Sequence, residues 1–568
     1  MKDLKNEIVD ILSKKDIGLS EDEIYDLIEI PPNQDMGDFS IPCFTLAKKF
    51  RKNPAIIAKE LKEGIESKYF EKIDNVNAYL NFYVNKNYFE KEVLNEILDK
   101  KLDYGRSDMG NGKNIIIEYS SPNIAKPFHI GHIRTTIIGD VLKRIYKFLG
   151  YNTIAINYIG DYGTQFGIMI AAYKLWGDDD KINKDPINEL LNLYVKYNAE
   201  AEKNPEMMDD ARDYFNKLEN GDEEATKLWN WFKDISLREF ERVYKLLDVE
   251  FDNFHGEAYN SKWIPDVIEE LKEKNLLIED DGAYIVDLKK YDLTPAIIIK
   301  SNGSSTYLTR DIATAINRKR EYDFNKNIYV VATQQNLHFK QLKKVLELMG
   351  YDFFDDCIHI GFGMVSMKDG VMSTRKGKVI FLEDVLNKSI EKTLNIIEER
   401  KTDLENKEEI AKIVGIGAVK FQELYNSRIK DYVFDWDEVL NFDGETGPYV
   451  QYTYARAKSI LRKAEFNEDQ AKGDFEFDKL TTDEEYTLIK SLQSFKDTLV
   501  RAKDKCEPSF VTRKVTEIAA NFNRYYNSSP ILVDDPDLRN QRVLLTYATS
   551  IVIKLGLSLL GIDTVEKM

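Results

Sequence analysis

Thirteen residues constrain this chain more than any other stretch: Asn123-Ile124-Ala125-Lys126-Pro127-Phe128-His129-Ile130-Gly131-His132-Ile133-Arg134-Thr135. A β-like apolar run (Ile115, Ile116, Ile117) precedes them. A helical pattern follows, with Ile137, Val141, Ile145 and Phe148 on one face and Gly150 as its stop. The chain has five histidines, and two of them flank Gly131 where the strand gives way to the helix. In an open α/β sheet, ligands bind at the carboxyl ends of strands. A helix N-terminus presents free N–H groups that suit phosphate, and a glycine there lets a ligand approach the backbone. The stretch therefore points to a nucleotide-triphosphate site.

A second β-like run, Thr153 to Ile156, leads into the polar, Gly-rich segment Asn157 to Gly167. Two successive strands that end in such loops predict a parallel sheet with its site along one edge. Neither Gly-x-Gly-x-x-Gly nor Gly-Lys-Ser/Thr occurs, which weakens dinucleotide and P-loop readings. Ala296 to Ile299 and Ile328 to Val331 read as further buried strands, each followed by polar groups: Tyr307 to Asp311, and Gln334 to His338. The Gly-punctuated loop 361–377, with Lys368, Arg375 and Lys376, suits either a polyphosphate clamp or an exposed basic hairpin.

With 568 residues, 43% hydrophobic and 31% charged, the chain has room for about three or four domains. The pattern divides it into a small α/β domain at 1–85, an α/β domain at 86–385 with a helical insertion at about 177–260, and a helical bundle at 386–568. No uninterrupted apolar run of about 18 residues is found, and residues 1 to 15 lack a signal or transit pattern, so cytoplasm is expected. Cys43, Cys357 and Cys506 lie far apart with no Cys-x-x-Cys pair, predicting buried free thiols and neither zinc nor a disulfide framework. A net charge of −18 argues against nonspecific nucleic-acid binding but leaves room for local basic patches. One such cluster, Lys48, Lys49, Arg51 and Lys52, is either a solvated helix face or a contact with RNA phosphates.

His129-Ile130-Gly131-His132 resembles the HIGH motif of class I aminoacyl-tRNA synthetases, and Met372-Ser373-Thr374-Arg375 stands where their KMSKS loop belongs. Glu118 to Pro127, Gly160 to Gly167 and Gly447 to Tyr452 narrow the resemblance to the arginyl-tRNA synthetase family, and the Gly37-Asp38-Phe39 segment resembles that family's additional N-terminal domain. The chain departs from the loop pattern at Val371, where lysine is usual; the resemblance offers Lys126, just ahead of the HIGH motif, in its place, with Lys368 and Lys376 as neighbouring alternatives.

The resemblance implies a Rossmann-like parallel-sheet catalytic domain with an all-α anticodon-binding bundle, acting on ATP with magnesium, L-arginine and tRNA(Arg), as a monomer and without zinc or a membrane. It implies Lys126, His129, His132 and Arg375 as catalytic, and His129, Gly131, His132 and Met372 to Arg375 as ATP-binding. Glu118, Ser120, Ser121, Asn123, His132, Tyr307, Asp311 and Gln335 would hold arginine, with Glu118 and Asp311 the acids for its guanidinium. Tyr449, Tyr452, Tyr526 and Met568 would contact tRNA. Two rivals carry different expectations. Another HIGH-motif nucleotidyltransferase would not require the flanking domains, and a noncatalytic paralogue would favour loss of a motif histidine; both histidines are present.

Overall fold

In a computed structural model, which describes residues 4–15, 17–31, 36–124, 128–367, 381–399, 404–441 and 444–568, the Ile115 to Ile117 run becomes the strand Asn114–Glu118. It lies inside a four-stranded parallel sheet in the edge-to-edge order Cys357–Phe362, Lys326–Ala332, Asn114–Glu118, Asn152–Ile156. All three isoleucines are fully buried, because helices cover both faces of a parallel sheet and a continuous apolar run satisfies both. The chain leaves Asn114–Glu118 toward one edge and returns on its other side through Lys326–Ala332. The switch in direction opens a crevice at the carboxyl ends of these two neighbouring strands. The helix Ile133–Phe148 links the first two strands, and Gly150, at φ +83°, takes the left-handed conformation that ends it.

Ala296–Ile299 departs from expectation. It is a strand, but in a separate antiparallel sheet ordered Ile278–Asp280, Ala283–Val286, Ala296–Ile299. Its residues alternate, with Ala296 and Ile298 buried and Ile297 48% exposed. Four apolar residues in a row do not separate a strand buried on both faces from one buried on a single face.

Two compact units divide the contacts, and they interleave in sequence. One comprises Met1–Tyr104, Arg456–Phe495 and Glu517–Val552; the other comprises Gly105–Ala455, Lys496–Thr516 and Ile553–Met568. The helical insertion of the second unit runs through Asp179–Lys184, Pro186–Lys203, Met207–Glu219 and Glu223–Leu246. The first unit holds an antiparallel sheet ordered Phe39–Pro42, Tyr79–Val84, Phe70–Val76. Its helix Pro54–Lys62 starts on proline and is capped by Asn53, whose Oδ1 accepts from the Ala55 N–H at 2.9 Å. Thr482 and Glu485 form the capping box of Asp483–Gln493. A second helix, Phe495–Lys505, follows and carries the buried Phe495 and Leu499. The helix Pro536–Leu559 is long and apolar enough to span a membrane, but 89% of its apolar window is buried within the protein, as in a core helix. All three cysteines are free and buried.

The first unit also buries an acid pair. Glu485 accepts from the N–H groups of Thr481 and Thr482 and from Arg542 Nε at 2.8 Å. Glu90, on the helix Lys86–Lys100, is 2% exposed, and its Oε2 has no partner among the described residues. Burial, reinforced by the Glu485 charge, pushes the Glu90 carboxyl up to about 8. The folded state therefore keeps a proton there that the unfolded chain releases above about pH 4.5, so Glu90 contributes stability that is lost as pH rises toward 8. Glu90→Gln is expected to flatten this dependence and to exceed wild type at pH 8.5 by on the order of 2 kcal/mol. Thermal midpoints of both proteins at pH 5 and pH 8.5 test it; a gap that does not change with pH would remove the assignment.

Candidate active site

His129 and His132 sit on a single turn of 3₁₀ helix, Ile130–His132, which opens the helix Ile133–Phe148. The His129 Nδ1 accepts from the Gly131 N–H at 3.1 Å, and the His132 Nδ1 accepts from the His129 N–H at 3.1 Å. An Nδ1 that accepts puts the hydrogen of a neutral imidazole on Nε2, so both rings are set as Nε2 donors. The rings lie 3.9 Å apart, and Phe128 stacks on His132 at 5.0 Å with planes 6° apart. A Cβ on Gly131 would come within 2.8 Å of the His129 ring, so the turn requires glycine. Two carboxyl-terminal contacts add to this frame: Leu382 N–H donates to the Phe128 carbonyl at 3.0 Å, and His129 pairs with Phe381.

Arg134, two residues on, is fully buried. Its Nη1 donates to the carbonyls of Gly363 (2.9 Å) and Lys430 (2.7 Å), and its Nε lies 3.3 Å from Glu423. Burial lifts the Glu423 carboxyl to about 7 while Arg134 opposes the rise. Arg134 thus fastens the histidine turn to the backbone just ahead of Val365–Met367. The residues Lys126, Met372, Ser373, Thr374 and Arg375, together with Lys368, Val371 and Lys376, lie outside the described residues.

Upstream, Ser120 and Ser121 both take positive φ, +71° and +48°, a conformation that non-glycine side chains adopt only where the surroundings enforce it. Here they do. The Ser120 N–H donates to Thr135 Oγ1 at 3.0 Å, and its hydroxyl is bonded to Tyr244 and Thr136. The Ser121 N–H donates to Asn157 Oδ1 at 3.2 Å. Ser120 is 3% exposed, with its N–H and hydroxyl both bonded within this frame. Ser121 differs: its Oγ is buried with no partner among the described residues. Asn123 is exposed on the same segment, bridged to Gly160.

The two acids expected to meet a guanidinium are near enough for the Asp311 charge to act on Glu118. Glu118 ends its strand and is 5% exposed. Asp311 lies on the helix Tyr307–Tyr322, one turn after Tyr307, which is 65% exposed. Each carboxylate already has a partner: Glu118 Oε2 meets Arg318 Nη1 at 2.6 Å, and Asp311 Oδ2 meets His338 Nε2 at 2.6 Å. Burial pushes the Glu118 carboxyl up, Arg318 pulls it back, and the Asp311 charge adds to the rise. Gln335 stands exposed in the turn Thr333–Gln335, at the end of the neighbouring strand.

Sequence reading missed a third acid. Glu257, 9% exposed, is paired with Arg310 Nη1 at 2.7 Å. Burial lifts its carboxyl to about 7; Arg310 opposes the rise, and Asp311 and Asp161 add to it. No periodicity marks Glu257. Arg318 could have been found, because it stands two turns after Asp311 on the same helix.

Of the aromatic residues expected at a tRNA surface, Tyr449 and Tyr452 are half-buried on the helix Gly447–Lys463. Tyr526 is 41% exposed with the Arg456 guanidinium over its ring, and Met568 is half-buried. Tyr525 is core. Lys48 and Lys49 end the short helix Phe44–Phe50.

Three family descriptions match the chain in succession: the arginyl tRNA synthetase N terminal domain over residues 2–84, the class I (R) tRNA synthetase catalytic domain over 93–436, and the DALR anticodon binding domain over 450–568. The chain is 57% identical to an arginine–tRNA ligase of Halothermothrix orenii and 53% identical to one of Clostridioides difficile, each compared over 569 positions and over all of both chains. Among solved structures it is similar to an arginyl-tRNA synthetase of Plasmodium falciparum (TM-score 0.80, 25% identity, 99% of this chain and 98% of that one). It also shares the fold of the Thermus thermophilus enzyme (TM-score 0.76, 24% identity, 100% and 99%).

Proposed function

We propose that this chain, which belongs to the class I arginyl-tRNA synthetase family, joins L-arginine to the 3′ end of tRNA(Arg). The observation that carries the reading is the pair of neighbouring acids: Glu118, which ends its strand, and Asp311, whose Oδ2 lies 2.6 Å from His338 Nε2. In the first step the arginine carboxylate attacks the α-phosphorus of ATP in line, forming arginyl adenylate and expelling pyrophosphate. In the second, a terminal ribose hydroxyl of the tRNA attacks the adenylate's carbonyl carbon and expels AMP. Transfer of this kind asks for positioning and charge stabilisation, with no protein nucleophile.

His129 and His132 donate from Nε2 to the phosphate oxygens on which charge grows. Lys126 and Arg375 supply positive charge, with Gly131 and Met372 to Thr374 completing the ATP contacts. Asp311, with Glu118 beside it, receives the substrate guanidinium against Tyr307. Ser121, Asn123, His132 and Gln335 hold the amino and carboxylate end. Magnesium accompanies ATP, bound mostly through phosphates and water. The region 450–568 reads the anticodon through Tyr449, Tyr452, Tyr526 and Met568, and the N-terminal domain grips the tRNA with Lys48, Lys49, Arg51 and Lys52. The protein works as a monomer in the cytoplasm.

Pyrophosphate exchange into ATP is expected with arginine and only when tRNA(Arg) is added. Exchange with another amino acid and none with arginine would overturn the reading.

A further inference from the structure

We propose that His338 is a positioning and specificity residue for arginine: it fixes the Asp311 carboxylate and, as a partner that is not a guanidinium, leaves that carboxylate open to the substrate's. The proposal rests on the reading above that Asp311 receives the substrate guanidinium.

The geometry supplies the first part. His338 Nε2 lies 2.6 Å from Asp311 Oδ2, and both side chains are about one-fifth exposed. A neutral imidazole in this position donates its Nε2–H to Oδ2 and leaves Oδ1 to an incoming guanidinium. The His338 ring is itself held edge-on against Phe339, at 5.3 Å and 84°. Asp311 therefore meets its ligand already oriented.

Pairing supplies the second part. Arg318 sits on Glu118 and Arg310 on Glu257, so among these three acids Asp311 is the one whose partner is a histidine and not a built-in guanidinium. An arginine at position 338 would occupy the carboxylate that the substrate guanidinium needs, whereas an imidazole donor orients Oδ2 and leaves Oδ1 open.

The test uses the full chain with tRNA(Arg), measuring the KM for arginine and for ATP at neutral pH. His338→Gln, which keeps a donor for Asp311, is expected to stay within about threefold of the wild-type arginine KM. His338→Ala should raise the arginine KM about tenfold, and the permanently charged His338→Lys more than 100-fold, with ATP KM held in both. An arginine KM that is unchanged in His338→Ala, or no better in His338→Gln than in His338→Ala, overturns the proposal. So does a parallel rise of both KM values, the mark of general damage. A wild-type protein that fails to use arginine at all overturns the functional reading itself, and the proposal with it.

Discussion

Asp311→Ala is expected to lower kcat/KM for arginine by roughly 100- to 1,000-fold while leaving the ATP KM within about threefold, because truncating one member of a desolvated charge pair costs about 3–4 kcal/mol. The asymmetry follows from where the carboxylate stands. It stands on the Tyr307–Tyr322 helix with Oδ2 on His338, and its charge acts on Glu118. Most of the loss comes from leaving the guanidinium buried without its partner, so an uncharged analogue should be affected far less. Steady-state kinetics with each substrate varied in turn decide the matter. Losses of similar size for arginine and ATP would show that Asp311 supports the fold of the site and does not contact the guanidinium.

The second large effect is expected at the histidine turn. His129→Ala and His132→Ala should each slow adenylate formation by roughly 100-fold or more, equivalent to about 3 kcal/mol of transition-state stabilisation, with little change in ATP affinity. Both rings give Nδ1 to backbone amides of the turn, so each Nε2 is aimed by the fold before ATP arrives. The two losses should not add. His132 accepts from the backbone of His129, and the rings lie 3.9 Å apart, so removing one disturbs the other. Single-turnover measurement of adenylate formation, alongside ATP binding and thermal midpoints, separates the roles. Weakened ATP binding with an unchanged chemical rate would assign the histidines to ground-state binding alone.

Much of the catalytic centre was legible in the chain because it is local. A run of three isoleucines, a turn with glycine between two histidines, and a helix with a regular apolar face follow one another within a few turns of chain, and each sets its own backbone through short-range sterics and hydrogen bonds. The antiparallel placement of Ala296–Ile299 was not legible, since four apolar residues do not say which partner strand they meet. Nor was the interleaving of the two compact units, which depends on contacts between segments distant in sequence.

The sequence by itself determined the strand–turn–helix at residues 114–148, the order of the family's motifs and the choice of Glu118 and Asp311 as the acids of interest. Only the tertiary structure decided what those acids are paired with: Glu118 with Arg318, Asp311 with His338, Glu257 with Arg310. The reason is the range of the forces. Periodicity records which residues share a face of one element, whereas a buried carboxylate is governed by whichever charge the sheet order brings within a few ångströms. Through that pairing two of the three acids are matched to built-in arginines and Asp311 is left to a histidine, and no stretch of the chain read alone contains that arrangement.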